Sequence, residues 1–338
     1  MTTCCCMPNT MPVADNAETI GYIVNKARLA PVRVVPLGAV TVSQRGVELT
    51  DFAALKAAGA VALSDDGNPV RSAALMRNAM RSARECGLLI SSHCEDAEMV
   101  RDFAVNEGAI SRELGIPGRP AIAEEIMVAR DAMLAAETGA KLHIAHVSTA
   151  GSVSIIRKAK AAGVRITAET CPQYFSLTED AVACVGPLAR VNPPLRTARD
   201  VAAVVRGLSD GTIDAIATDH APHSREEKGL SLVAAPSGMI GLETSLALTL
   251  TYLFHEGKLG MDEVIALMST NPARMLGLDA GALAVGGAAD IVIFDPDEEF
   301  VVEPDRFASK ARNTPFAGMR LRGKVKHTIA RGSIVYGV

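Results

Sequence analysis

The sequence predicts an α/β chain of the parallel-barrel class, and three observations carry that prediction. Short apolar runs rich in β-branched residues alternate with Ala-rich segments of helical periodicity, a pattern that implies a parallel sheet covered by helices. Several helical segments end in a glycine just before the next apolar run, as helices that close on a left-handed residue do. The composition is 49% hydrophobic but only 4% aromatic, with no Trp. Such a core must be built from Ala, Val, Ile, Leu and Met, which suits helices stacked on buried strands.

Taken in order, the apolar runs place strands at Thr2 to Cys6, Val32 to Leu37, Ala60 to Ser64, Leu88 to Ser92, Lys141 to Ala145, Val164 to Ala168 and Ile213 to Ala217. Helices are expected over Glu48 to Ala58, Ser72 to Cys86, Ala121 to Thr138, Ser152 to Ala162 and Arg199 to Leu208, with Gly59, Gly87, Gly139 and Gly163 as terminating glycines. Further helices follow over Leu242 to Glu256 and Met261 to Met268, and Asn271-Pro272 reads as an N-cap and first-turn proline opening another. From Gly281 the character changes. The runs Asp290 to Phe294, Phe300 to Val302, Lys324 to Ala330 and Ser333 to Tyr336 read as short strands joined by turns. The expectation is a (β/α)8 TIM-type barrel over residues 1–280 with its first strand missing, because seven βα units are one short of closure. A small C-terminal β-domain is expected over 281–338.

Bulk properties narrow the function. The net charge is −4 with both signs interspersed, so no basic face is available for a phosphate backbone and nucleic acid is excluded as a partner. The seven cysteines form no CxxC pair and read as reduced, mostly buried thiols. No leader-like segment and no long apolar stretch stands in the sequence, so a cytoplasmic protein with no membrane contact is expected.

In a parallel barrel the working face lies at the strand C-termini. Those positions carry Asn9, Asp65 and Asp66, His93, His146, Glu169, and Asp219 with His220 and His223. A lone histidine after a strand is commonly structural. Imidazoles and carboxylates converging from several strands instead match the ligand set of a hydrolytic divalent-metal site. A Ser92–His93–Asp219 triad is disfavoured, since adjacent residues on a strand point to opposite faces and no GxSxG elbow is present. Gly238 and Gly241 lack the spacing of a phosphate loop and read as turns.

The segments Met7-Pro8-Asn9-Thr10, Ser64-Asp65-Asp66-Gly67, Ser92-His93-Cys94-Glu95, His143-Ile144-Ala145-His146-Val147-Ser148, Glu169-Thr170-Cys171-Pro172, Val191-Asn192-Pro193-Pro194-Leu195-Arg196 and Ala217-Thr218-Asp219-His220-Ala221-Pro222-His223 together resemble the bacterial dihydroorotase branch of the cyclic amidohydrolases. Allantoinases and dihydropyrimidinases, which share several of these motifs, usually carry a carbamylated lysine after the fourth barrel strand. No lysine lies between Leu63 and Arg77, and Asp66 fits the branch that bridges its metals with aspartate. The resemblance implies that His93 and His146 hold one metal, that Asp66 bridges, and that Asp219 binds a second metal and serves as general base. It implies zinc, with Asn9, Asn192, His223, Ser237 and Gly238 as substrate contacts. The implied reaction is the reversible hydrolysis of L-dihydroorotate to N-carbamoyl-L-aspartate in pyrimidine biosynthesis.

The family's opening His-x-His pair and its neighbouring arginine have no counterpart in this sequence. The second metal site is therefore expected to be incomplete, the missing unit to lie upstream, and the chain as written to show weak or absent activity. The alternatives are an inactive, dihydroorotase-like partner subunit, an enzyme with one metal, and a hydantoinase- or allantoinase-like amidohydrolase. A homodimer or association with a carbamoyltransferase is the implied assembly.

Overall fold

The computed structural model describes residues 1–101 and 103–337; Val338, the end of the expected β-domain, lies outside the described residues. Its strands, in chain order, are β1 (Thr3–Cys6), β2 (Arg33–Pro36), β3 (Leu63–Ser64), β4 (Leu89–Ser92), β5 (Val105–Asn106), β6 (Gly118–Arg119), β7 (Lys141–Ile144), β8 (Ile166–Thr170), β9 (Ala215–Ile216), β10 (Ile291–Val301), β11 (Arg320–Ala330) and β12 (Ser333–Tyr336). β1 pairs in parallel with β2. A bridge from Gly38 to Leu63 continues the sequence of neighbours into the parallel sheet β3-β4-β7-β8-β9. Each of the seven expected barrel strands therefore falls on an observed one. The free sides of β1 and β9 carry no partner strand among the described residues.

Local chemistry explains the helices between them. Asn16, Asp51, Ser72, Thr149 and Thr197 each cap a helix by accepting a hydrogen bond from a backbone N–H of the first turn. Gly59, Gly87 and Gly139 close helices in the left-handed region, where a side chain would be strained. On β8, Ile166 and Ala168 enter the core between sheet and helices while Thr167 and Glu169 point to the opposite face. The main core is lined by residues such as Leu63, Met80, Ile90, Leu142, Ile144 and Ile156, with no large ring among these six.

Several expectations need correction. The first helix, Ala17–Ala27, and the pair β5–β6 in the excursion after β4 were not anticipated. Asn271 does not open a helix: the chain runs helically from Met261 to Leu276, with a π-helical turn at Ala266–Thr270. The widened turn lets the Asn271 N–H reach Ala266 O and accommodates Pro272, which has no N–H to give. Asn271 uses its side chain instead to hold the Asp214 carbonyl, 3.0 Å away, just before β9. The expected helix from Leu242 begins later, at Ser245, and passes into a second π-turn at Leu250–Phe254. Two expected C-terminal strands are one, β10, whose register slips between Asp295 and Glu299 around Pro296. All seven cysteines are free, but only Cys94 and Cys171 are fully buried; Cys5 and Cys184 are exposed.

β10, β11 and β12 form an antiparallel sheet. Val302, Phe316 and Leu321 share a second apolar cluster with Met239, Ala247 and Leu248, which joins this sheet to the barrel side. No helix is long and apolar enough to cross a membrane, among the described residues.

Candidate metal centre

Strand order decides which expected ligands meet. β3, β4 and β7 are consecutive neighbours in the sheet, and Asp66, His93 and His146 follow their C-terminal ends. His93 Nδ1 lies 2.8 Å from His146 Nε2. Both nitrogens are 3.7 Å from the same Asp66 oxygen, and the donor atoms of the three residues all lie within 4.8 Å of one another. Both rings are almost fully buried and Asp66 is 16% exposed. Asn9, after β1, donates to the other Asp66 oxygen at 3.1 Å.

The surroundings fix which nitrogen is presented. His93 Nε2 faces Glu95 at 3.2 Å, and Glu95 takes two contacts from Arg119 Nη1 at 3.1 and 2.9 Å. A carboxylate held this way accepts the Nε2–H and leaves the Nδ1 lone pair for a cation. His146 turns its Nε2 inward and leaves a buried Nδ1 without a partner. Its backbone sits at φ +36°, a strained conformation of the kind found at functional sites.

The electrostatics express a demand for positive charge. Burial alone would depress the His93 imidazolium, but Asp66 and Glu95 outweigh it and raise the pKa to about 10. His146 is raised in the same way by Asp66 against the cost of burial. Burial pulls Asp66 up, yet hydrogen bonds and charge from the two imidazoles hold it well below the ordinary carboxylate range. Two nitrogens and an anionic oxygen converging in a buried pocket suit a divalent ion of the zinc class.

Asp219 stands apart from this cluster, outside the group within ligand distance. Asp219 nonetheless feels the site. Burial raises its pKa to about 6, with Asp66 and Glu169 adding to the rise and His146 and His93 opposing it. Its φ of +44° is the second strained backbone at the mouth.

The remaining candidates gather around the segment from Pro222 to Gly238. Ser237 donates to Asn192 Oδ1 at 2.9 Å, and His223 Nε2 lies 3.0 Å from Ser237 O. Gly238 has φ +135°, and a Cβ there would come within 2.6 Å of Ala221 Cβ, so no larger residue fits. His220 is structural, with Nδ1 accepting from Gly241 N at 3.1 Å. Asp65 is structural too: it accepts from the backbone N–H groups of Val40 and Thr41 and from the Thr41 hydroxyl. Glu169 pairs with His143 at 3.2 Å, and Ser92 turns away from the mouth to donate to the buried Asp131.

Sequence reasoning missed Glu95 and Arg119 as parts of the site. The signal for Glu95 was present, since it stands two residues beyond His93 and two-residue spacing keeps an extended chain on one face. Arg119 arrives from β6, which no periodicity announced.

A family model described as dihydro-orotase-like matches residues 1–152. A curated dihydroorotase from Acetivibrio thermocellus is 49% identical over 99% of this chain and 79% of its own length. One from Pelotomaculum thermopropionicum is 52% identical over 99% of this chain and 78% of its own. Among solved structures, the L-hydantoinase (dihydropyrimidinase) from Arthrobacter aurescens superposes with a TM-score of 0.87 at 26% identity, covering 100% of this chain and 77% of that one. The dihydropyrimidinase from Brevibacillus agri NCHU1002 gives 0.85 at 23% identity, also over 100% of this chain and 77% of that one, and speaks to the fold alone.

Proposed function

The chain belongs to the dihydroorotase family of cyclic amidohydrolases, and from that premise we propose that it opens and closes the ring between L-dihydroorotate and N-carbamoyl-L-aspartate, in the cytoplasm, with zinc at the cluster of Asp66, His93 and His146. The observation that carries the reading is the convergence of those three donors on one another. Asp66 and Asp219 are the residues that would hold a second ion.

A bound divalent ion makes water more acidic and polarises the ring carbonyl. Asp219, with its pKa lifted to about 6, is suited to accept a proton at its carboxylate near neutral pH and return it to the leaving ring nitrogen. Asn9 orients Asp66 through its hydrogen bond. His223, Asn192 and the backbone around Ser237 and Gly238 are assigned to the substrate, which reads them as hydrogen-bonding groups held on a rigid support.

The test is metal analysis of the zinc-loaded chain together with ultraviolet assays of dihydroorotate and hydantoin side by side. The expected result is bound zinc through the three-residue cluster and ring opening of dihydroorotate in preference to hydantoin. A protein that, after zinc treatment, neither retains metal nor opens the dihydroorotate ring would sink the enzyme reading. That outcome, with stoichiometric co-purification of a carbamoyltransferase, would support the partner-subunit alternative.

A further inference from the structure

We infer that Asn313, contributed by the segment between β10 and β11, is the positioning residue that sets the conformation of the Ala221–Gly238 segment. The functional half of the inference rests on the assignment of His223 and Gly238 to the substrate. Asn313 is 3% exposed and uses its whole side-chain amide. Its Oδ1 accepts from the His223 backbone N–H at 3.1 Å, and its Nδ2 donates to Ala221 O at 3.0 Å and to Gly238 O at 3.1 Å. Its own backbone carbonyl accepts from Ile240 N at 3.0 Å.

One N–H and two carbonyls around the amide leave it a single orientation, because a flipped group would set its oxygen against two carbonyl oxygens. The two carbonyls belong to opposite ends of the segment. Asn313 therefore draws Ala221 and Gly238 together, reinforcing the Ala221 N–H bond to Met239 O at 2.9 Å. It also fixes the backbone of His223, whose ring meets Ser237 O. Other groups anchor the middle: Arg190 donates to Leu232 O and Val233 O, and Lys228 to Pro187 O and Pro236 O. Asn313 alone among these reaches both termini, and it arrives from the C-terminal sheet region. Ligand contacts after β9 are thus held by a residue more than seventy positions further along the chain.

Asn313→Asp keeps an oxygen for the His223 N–H but presents lone pairs to the two carbonyls; Asn313→Ala removes all three side-chain bonds. The zinc-loaded chain and both variants would be compared by hydrogen-exchange mass spectrometry, by urea midpoint, and by calorimetric titration with N-carbamoyl-L-aspartate. The expected result is exchange over residues 221–240 faster by roughly tenfold or more, with β4 and β7 peptides unchanged, and affinity for N-carbamoyl-L-aspartate lower by roughly tenfold. Should the alanine variant fail to fold, the aspartate variant decides. Unchanged exchange over 221–240 overturns the inference. Faster exchange with wild-type affinity leaves only a structural tie and overturns the positioning role. A wild-type protein that binds no N-carbamoyl-L-aspartate counts against the proposed function, and the exchange result then decides the inference alone.

Discussion

His93 presents Nδ1 to Asp66 because Glu95 occupies its other nitrogen; burial pushes the Glu95 carboxyl up, but the His93 hydrogen bond and charge, followed by the charges of Arg119 and Arg196, bring its pKa down to about 2. Glu95→Gln should therefore lower zinc affinity by about 10–100-fold while leaving all three ligands in place, measured by competition with a chromophoric chelator. Unaltered affinity would deny Glu95 its orienting role. A second residue-scale prediction concerns Lys228, which is buried in the segment beyond His223 with its ammonium among backbone carbonyls. Burial first, and the Arg190 charge second, lower its pKa to about 8 from an ordinary 10.5. A lysine that binds its proton less tightly when folded carries its full cost below about pH 8, and that cost is relieved as pH rises towards 10.5. Urea midpoints should show wild type gaining stability relative to Lys228→Met over that interval, by up to a few kcal/mol. Parallel pH profiles would refute the assignment.

At the scale of elements, the two π-turns are where sequence patterning and structure part. Helical periodicity over Leu242 to Glu256 and Met261 to Met268 identified helices, yet it could not register an extra residue per turn, because the inward-facing pattern survives a local widening. The π-turn at Leu250–Phe254 receives the C-terminal sheet: Gly323 on β11, at φ +99°, lies against Leu250, and any Cβ there would overlap that side chain. Gly323→Ala should destabilise the protein by about 2 kcal/mol or more, since it combines a left-handed backbone with overpacking. The check is the urea midpoint of the variant, and a change within about 0.5 kcal/mol would mean that the sheet shifts without cost.

For the whole molecule, the cluster of Asp66, His93 and His146 ties the ends of three strands, and an ion held there should be coupled to folding. With free zinc at about 100 times the dissociation constant, linkage adds about 2.7 kcal/mol, enough to raise the melting temperature by several degrees, and a chelator should reverse it. Equal melting curves with and without zinc would mean that Asp66, His93 and His146 hold no ion. The sequence by itself located the seven strands of the barrel part, several helix ends, and the three candidate ligands that cluster, because side-chain periodicity, capping residues and strand-end chemistry are local properties that a linear chain displays. It did not determine that Asp219 stands outside the group formed by Asp66, His93 and His146, which only the packed positions of the strand ends decide. Nor did it reveal Arg119 behind Glu95, or Asn313 bridging both ends of a segment far back along the chain. Those relations join residues tens of positions apart with no shared period, and only tertiary packing, which decides which polar groups lose water together and must satisfy one another, could bring them into contact.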